Sequence, residues 1–228
     1  MKRLVIASII GIMVSVLGYR DSVRAEWIEG GNPLPQDFSH MVVFDSAGTF
    51  TWTVPEGVYK IKVELWGGGG GGVTVDLGYD GDMICYGGAG GYGLAYIDVT
   101  PGMTCAITVG NYGGYNGGDG GNTIVVCGSQ SYTATGGEGA QYRSGYYNDY
   151  CEAGIGGTSD APFSLEGGAG TWAYMPNSDT VFGDRLGGNA PRGGHGYINI
   201  GGYSDDYYAA QPGGGGLRGA PGMVIIWY

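Results

Sequence analysis

Glycine breaks this chain into tracts, at 67–72, 87–93, 113–121, 136–139, 167–170, 187–194 and 213–219, and it fills 52 of the 228 positions. The usual share is about 7%. Each glycine costs backbone entropy on folding, so a fold that keeps this many must recover that cost through packing. Disorder is the simplest outcome, but glycine-rich disordered segments are poor in aromatic and β-branched residues. Here Trp, Tyr, Val and Ile recur in patterned runs between the tracts. Glycine does not fall at every third position, which excludes collagen. The expectation is ordered packing of polyproline-II-like, or polyglycine-II, segments lying parallel and antiparallel. Backbones without Cβ atoms approach closely and exchange hydrogen bonds, which satisfies buried amides and carbonyls. Long loops without structure are uncommon in compact domains.

The runs between the tracts have strand periodicity. Phe50, Trp52 and Val54 alternate with Thr49, Thr51 and Thr53, and Tyr59, Ile61, Val63 and Leu65 alternate with Lys60, Lys62 and Glu64. A period of two marks half-buried strands. Further strands are expected at 41–45, 92–99, 103–109, 122–127, 131–135, 196–200 and 223–228. Val54-Pro55-Glu56-Gly57 and Thr100-Pro101-Gly102-Met103 read as turns, and Ala220-Pro221-Gly222 introduces the last strand. No stretch of the predicted mature chain carries the 3.6-residue period of a helix. The expected fold class is all-β, a jelly-roll-like β-sandwich with glycine-rich polyproline-II/polyglycine-II segments between strands. The apolar terminal run is expected to dock in the sandwich beside Phe50–Val54.

The first residues read as a secretory signal. Lys2 and Arg3 precede an apolar stretch over 4–17, and Val23-Arg24-Ala25 sets small residues at the cleavage positions, so cleavage is expected after Ala25. An apolar run of that length is short of the roughly 20 residues a spanning helix needs. The predicted organisation is a signal peptide over 1–25, an N-terminal arm over 26–40 and a glycine-rich β-sandwich domain over 41–228. Removing 1–25 takes away Lys2, Arg3, Arg20, Arg24 and Asp21. That leaves 6 of the 10 basic and 20 of the 21 acidic residues, a net charge of −14 in place of −11. Such a chain repels nucleic acid, since neutralising phosphates needs Lys and Arg. No membrane insertion is expected after cleavage.

Four cysteines remain: Cys85, Cys105, Cys127 and Cys151. An even count in an exported chain points to two disulfides, and their spacing does not suit a metal site. Of the three pairings that four cysteines allow, Cys105–Cys127 with Cys85–Cys151 is the one expected.

The run Gly48-Thr49-Phe50-Thr51-Trp52-Thr53-Val54-Pro55-Glu56-Gly57-Val58 leads through 59–66 into six glycines. Gly90-Gly91-Tyr92-Gly93, Thr100-Pro101-Gly102, Ile107-Thr108-Val109-Gly110, Thr133-Ala134-Thr135-Gly136-Gly137 and Gly222-Met223-Val224-Ile225-Ile226 follow in order. This order resembles the glycine-rich domain of bacteriophage tail-fibre and tail-tip adhesins and related bacterial surface proteins. It is more distantly similar to the extracellular glycine-rich domain of the anaplastic lymphoma kinase receptor family. The resemblance covers roughly 41–228. It implies a β-sandwich carrying a bundle of polyglycine-II helices, with receptor contacts in loops beyond the bundle. Those loops have no fixed motif, so no binding residue carries over. Phage tail proteins lack a signal peptide, and the signal read here points instead to a cellular exported protein.

Catalytic motifs do poorly. Gly88-x-Gly90-x-x-Gly93 and Gly214-x-Gly216-x-x-Gly219 fit a dinucleotide pattern, but such matches arise by chance in a glycine-rich chain and neither sits in a βαβ unit. GxxxxGK[ST] and GxSxG are absent. His40 and His195 have no evident nucleophile nearby. The expectation is a non-catalytic protein. No cofactor is expected beyond a candidate calcium ion at Asp80-Gly81-Asp82 or Asp205-Asp206, where solvated loop acids are the plainer reading. The strongest functional signal is the 19 tyrosines, many in loops rich in Gly, Asn, Ser and Asp. Tyr112, Tyr115 and Tyr142 are among them. Tyr gives a large amphipathic contact at low rotamer entropy, as antibody paratopes exploit, and flat aromatic faces suit sugar rings. The plainer reading is that many rings cap the glycine bundle. Tyr146, Tyr147, Tyr150, Trp172, Tyr174, Tyr203, Tyr207 and Tyr208 are the candidate ligand-binding residues. The expected function is an exported surface adhesin or receptor-binding module with a cell-surface glycan or protein as partner. The alternative is a self-associating structural subunit of an extracellular filament or matrix.

Overall fold

The computed structural model describes residues 38–78, 81–145, 149–175, 182–183, 187–194, 196 and 209–228. Among these the strands run in chain order β1 (Met41–Phe44), β2 (Gly48–Thr53), β3 (Lys60–Trp66), β4 (Val73–Asp76), β5 (Asp82–Cys85), β6 (Tyr92–Asp98), β7 (Thr104–Val109), β8 (Thr123–Cys127), β9 (Gln130–Ala134), β10 (Gln141–Arg143), β11 (Tyr150–Glu152), β12 (Phe163–Leu165), β13 (Trp172–Met175), β14 (Phe182–Gly183) and β15 (Met223–Trp227). Residues 38 to 228 group as one unit. Among the described residues the regular elements are these strands, arranged in separate antiparallel sheets that do not close into a barrel. The sequence-predicted strand at 196–200 lies outside the described residues but for Gly196.

Two antiparallel sheets make the sandwich, one ordered β1-β15-β3-β6-β12 and the other β2-β7-β8-β9. Alternation decides what each strand buries. Ile61, Val63 and Leu65 of β3, Ile97 of β6 and Val224 and Ile226 of β15 face Ile107 of β7 and Val125 of β8 in one core. Each such side chain contributes roughly 1.5–3 kcal/mol when fully buried. Phe50 and Trp52 of β2 pack against that core, while Thr49, Thr51 and Thr53 stay exposed. Cys105 and Cys127 stand directly opposite in β7 and β8 and are joined by a disulfide, with Cα atoms 4.4 Å apart. The Thr100 turn closes by a 2.9 Å bond from the Met103 amide to the Thr100 carbonyl, with Gly102 at φ +81°. Pro at the second position and positive φ at the third are the requirements of a type II turn.

The terminal strand corrects one expectation. β15 pairs with β1 and β3, not with Phe50–Val54, which lies in the other sheet. A period of two fixes which face of a strand is buried and leaves its neighbours open. Pairing is carried past β1 and β15 by His40 and Tyr228, whose backbones exchange bonds of 2.9 Å in both directions.

The glycine segments form a three-fold hydrogen-bonded bundle. Along 67–72 the amides of Gly67 and Gly70 donate to Gly91 and Gly88, at 3.0 and 2.8 Å. Those of Gly68 and Gly71 donate to Gly121 and Gly118, at 2.9 and 2.8 Å, and those of Gly69 and Gly72 to Ala220 and Leu217, at 2.8 and 3.1 Å. Steps of three return to the same antiparallel neighbour, as expected of a helix with three residues per turn and no internal bonds. A parallel neighbour is also present: Gly137 and Ala140 donate to Gly68 and Gly71. The segment after β5 repeats the pattern, with Gly87 and Gly90 donating to Gly216 and Gly213 and with Gly88 and Gly91 donating to Glu138 and Thr135. A Cβ on any of residues 67 to 71 would run into neighbouring backbone. The segment at 154–157 joins the bundle too: Gly154 and Gly157 donate to Tyr86 and Ala89. Ile155 hides that segment in the sequence.

Candidate functional site

The bundle carries hairpins away from the sandwich. β3 runs into 67–72 and then β4, and β5 returns through 86–91 into β6. Likewise β9 leads through 135–140 to the β10–β11 pair, which returns through 153–158. At this tip β4, β5, β13 and β14 form a sheet in the order β14-β13-β5-β4. These strands are short and glycine-flanked, too brief for the periodicity test to register.

The Cys85–Cys151 disulfide joins β5 to β11, with Cα atoms 5.9 Å apart. Val73, Val75, Cys85, Ala140 and Cys151 form a small core around it, with Leu77 and Met83 at its margin. Both disulfides match the expected pairing. Register then aims the aromatic residues. Trp172 lies directly opposite Cys85 and Tyr174 opposite Met83, so both stand on the Cys85 face of the tip sheet. Tyr142 lies opposite Cys151, on the face of the β10–β11 pair that the disulfide ties down. Directly opposed residues share a face, so one covalent bond links the face bearing Trp172 to the face bearing Tyr142. Trp172 is 51% exposed and Tyr142 50%. Tyr174 is half-buried.

The Tyr142 hydroxyl donates to Asp149 Oδ2 at 2.6 Å. That bond raises the phenol above its ordinary range and holds the Asp149 carboxyl low, with Ser144 also a partner of the carboxyl. Tyr150 projects on the opposite face of the pair, beside Arg143, whose Nε donates to Glu152 at 3.0 Å. Arg218 lies over the Tyr115 ring, 4.4 Å from its centroid. The turn holding Tyr115 is fixed at this end by the Gly117 amide, which donates to Gly72. The Tyr142–Asp149 and Arg218–Tyr115 pairs had no sequence signal, since their partners are distant or join through a hairpin of unknown register.

Of the candidate residues, Tyr150, Trp172 and Tyr174 are described, and Tyr146, Tyr147, Tyr203, Tyr207 and Tyr208 lie outside the described residues. The tip therefore brings Trp172 and Tyr174 together on one sheet face and sets Tyr150 apart from them. Of the candidate calcium ligands, Asp82 stands opposite Asp76 across β4 and β5, while Asp80, Asp205 and Asp206 lie outside the described residues. Among the described residues no three His, Cys, Asp or Glu side chains gather as a metal site, and no helix is long and apolar enough to cross a membrane.

A second polar cluster sits on the outer face of the five-stranded sheet. Tyr92 donates to Glu64 Oε2 at 2.9 Å, and Lys62 Nζ lies 2.9 Å from Glu64 Oε1. Burial works to raise the Glu64 carboxyl, but the bonds from Lys62 and Tyr92 and the charges of Lys62 and Arg192 outweigh it, so the carboxyl is lowered. Burial first, then the bond to ionised Glu64, push Tyr92 far up. Each carboxylate oxygen has a partner, and Trp66 Nε1 donates to the Pro191 carbonyl at 2.8 Å close by. The cluster acts as an internal tie between β3 and β6.

A family model described as a glycine-rich domain matches residues 45–228. No curated protein matches the chain.

Proposed function

This chain belongs to the glycine-rich domain family, and from that premise we propose that it is an exported, non-catalytic recognition module that binds a glycan or protein receptor at a cell surface through its tip. The observation that carries this reading is the exposure of Trp172 and Tyr142 on two faces bound to each other by the Cys85–Cys151 disulfide. Rigid aromatic side chains lose little rotamer entropy on binding, and a cross-linked mount lowers the cost of ordering the site. The tip stands on a hydrogen-bonded bundle rather than on long loops, and preorganised binding surfaces favour such rigid supports. Two disulfides are consistent with an extracellular or secreted protein. The resemblance to tail-fibre adhesins, whose loops beyond the bundle meet the receptor, supports the same placement.

The test is a glycan array together with a pull-down from surface extracts, each run with the protein, with Trp172→Ala and with Tyr142→Ala. Binding that is lost in the variants supports the reading. Two empty screens, or binding indifferent to Trp172 and Tyr142, would sink it. A second reading, a structural subunit of an extracellular filament or matrix, is favoured by the outermost places of both β1 and β12 in one sheet, which a head-to-tail contact between copies would use. Fibres visible by electron microscopy of the purified protein would select it.

A further inference from the structure

β1 is an outermost strand of its sheet, and among the described residues nothing pairs with its outer side. Its register is fixed where His40 and Tyr228 exchange both backbone bonds. Such pairs alternate along an antiparallel ladder. Val42 and Phe44 therefore turn their N–H and C=O toward Ile226 and Val224 of β15, and Met41 and Val43 turn theirs outward. The Met41 and Val43 side chains stand on the outer face, 57% and 41% exposed. Asp45 is next in that series, but its carbonyl accepts a bond from the Gln211 side chain, which ends the free edge.

Natural sheets blunt their edges with Lys, Pro, bulges or covering segments. β9 shows such a device: the Asp160 amide donates to the Thr133 carbonyl, and the Thr133 amide donates to the Asp160 carboxylate. β1 reads Met-Val-Val-Phe and carries no charge and no proline.

We propose that β1 is a self-association strand, through which two copies of this chain pair antiparallel about a two-fold axis into one continuous sheet. The free groups select the register. The arrangement that uses both outward residues sets Met41 of each copy opposite Val43 of the other, and each such pair exchanges two hydrogen bonds. The exposed side chains then cover each other without bringing in a charge. Electrostatics does not oppose a second copy on this face. A net charge of −11 opposes close approach over an acidic surface, whereas on this face Lys62 and Glu64 neutralise each other. In the same register the two Asp45 residues fall six positions apart, ~20 Å at strand rise. That is about two Debye lengths at physiological salt. An isologous contact closes on itself, so the product is a dimer and not a fibre. If the tip binds as proposed above, the dimer is bivalent; that corollary alone rests on the binding reading.

The experiment is sedimentation of the purified protein across a concentration series, with hydrogen exchange on the same samples. Twice the mass of one chain is expected, with the Met41 and Val43 amides slowing as the dimer forms. Val43→Lys should sediment as one chain with an unchanged near-ultraviolet spectrum, while Phe163→Lys on the opposite edge should still pair. Should Val43→Lys fold poorly, Val43→Pro takes away the outward N–H while breaking no bond to β15, and serves the same comparison. A single chain at every concentration, larger open assemblies, a dimer that survives Val43→Lys, or fast exchange at Met41 and Val43 within the dimer would each overturn the proposal.

Discussion

Gly69 and Gly214 meet backbone to backbone, so closely that one methyl group on Gly69 would overlap the Gly214 carbonyl. Both backbones are held by the bundle's own bonds, with Gly69 donating to Ala220 and accepting from Gly113. Neither can retreat cheaply. Gly69→Ala is expected to cost about 3 kcal/mol, the upper range for overpacking a dense interior. Gly114 has open space where its Cβ would go and no positive φ. Gly114→Ala should fall between neutral and about 1 kcal/mol stabilising, through the unfolded chain. Urea denaturation of the two variants checks the contrast, and equal effects would refute the close-packed bundle.

Amides inside the bundle should resist exchange as core amides do. Hydrogen exchange by mass spectrometry is expected to show residues 67–72 and 87–91 as protected as β3 and β6, since their donors are bonded to other segments. Exchange at loop rates across both segments would mean that the bundle does not persist in solution.

The Cys85–Cys151 bond closes a 66-residue span and the Cys105–Cys127 bond a 22-residue span. Chain entropy alone assigns the longer one about 4 kcal/mol of stability. The double replacement Cys85→Ala with Cys151→Ala should lower the melting temperature and raise exchange in β4, β5, β10 and β11 first. It should also abolish tip binding while the sandwich amides stay protected. Unchanged exchange at the tip would show that the bundle alone fixes it.

Glu64 and Tyr92 set opposite pH limits. The lowered Glu64 carboxyl contributes stability that is complete above the ordinary value of about 4.3 and lost as pH falls through the lower folded value. The raised Tyr92 phenol acts the other way. Its contribution is complete below about pH 10 and is lost as pH rises beyond it, because the unfolded chain ionises first. Glu64→Ala leaves the Tyr92 hydroxyl and Lys62 without their partner and should cost roughly 1–3 kcal/mol near neutrality. Tyr92→Phe should flatten the alkaline fall. Denaturant titrations from acid to alkaline pH test both limbs.

Trp172→Ala and Tyr142→Ala should each weaken ligand binding by about 30-fold, as loss of an aromatic anchor worth about 2 kcal/mol does. Neither should shift the melting temperature much, because each ring is half exposed. Calorimetry against a ligand found on the array reads the first effect and thermal denaturation the second.

The sandwich was legible because its strands are long enough to show alternation: Thr49 to Val54 and Ile61 to Leu65 announce both their class and their core face, whereas Tyr59, placed in that series by its spacing, precedes β3 and is 60% exposed, and Glu64 is buried on the other face of the sheet. Partner choice was not legible. Val224 and Ile226 face the core equally well beside β2 or between β1 and β3, and the exchange of bonds between His40 and Tyr228 decides it. The tip was hidden for another reason. β10 and β11 have three residues each, and nothing in Gln141-Tyr142-Arg143 separates a strand from a polar loop. Their order comes from Cys151 and from the glycine legs below, both long-range contacts. Composition marks Trp172 and Tyr174 only as aromatics in a loop-like stretch, and their shared face comes from the register of β13 on β5; the Arg218–Tyr115 pairing spans 103 positions and leaves no local trace.

The return of each glycine amide to the same neighbour every third residue also limits how this architecture can change over time. One residue inserted within 67–72 would rotate every later donor by a third of a turn and hand its bond to the wrong strand of the bundle. Legs of this kind can lengthen only in triplets, whereas the hairpins they carry are free of that rule. Variation should therefore gather at the far end, on a stem whose length comes in fixed increments.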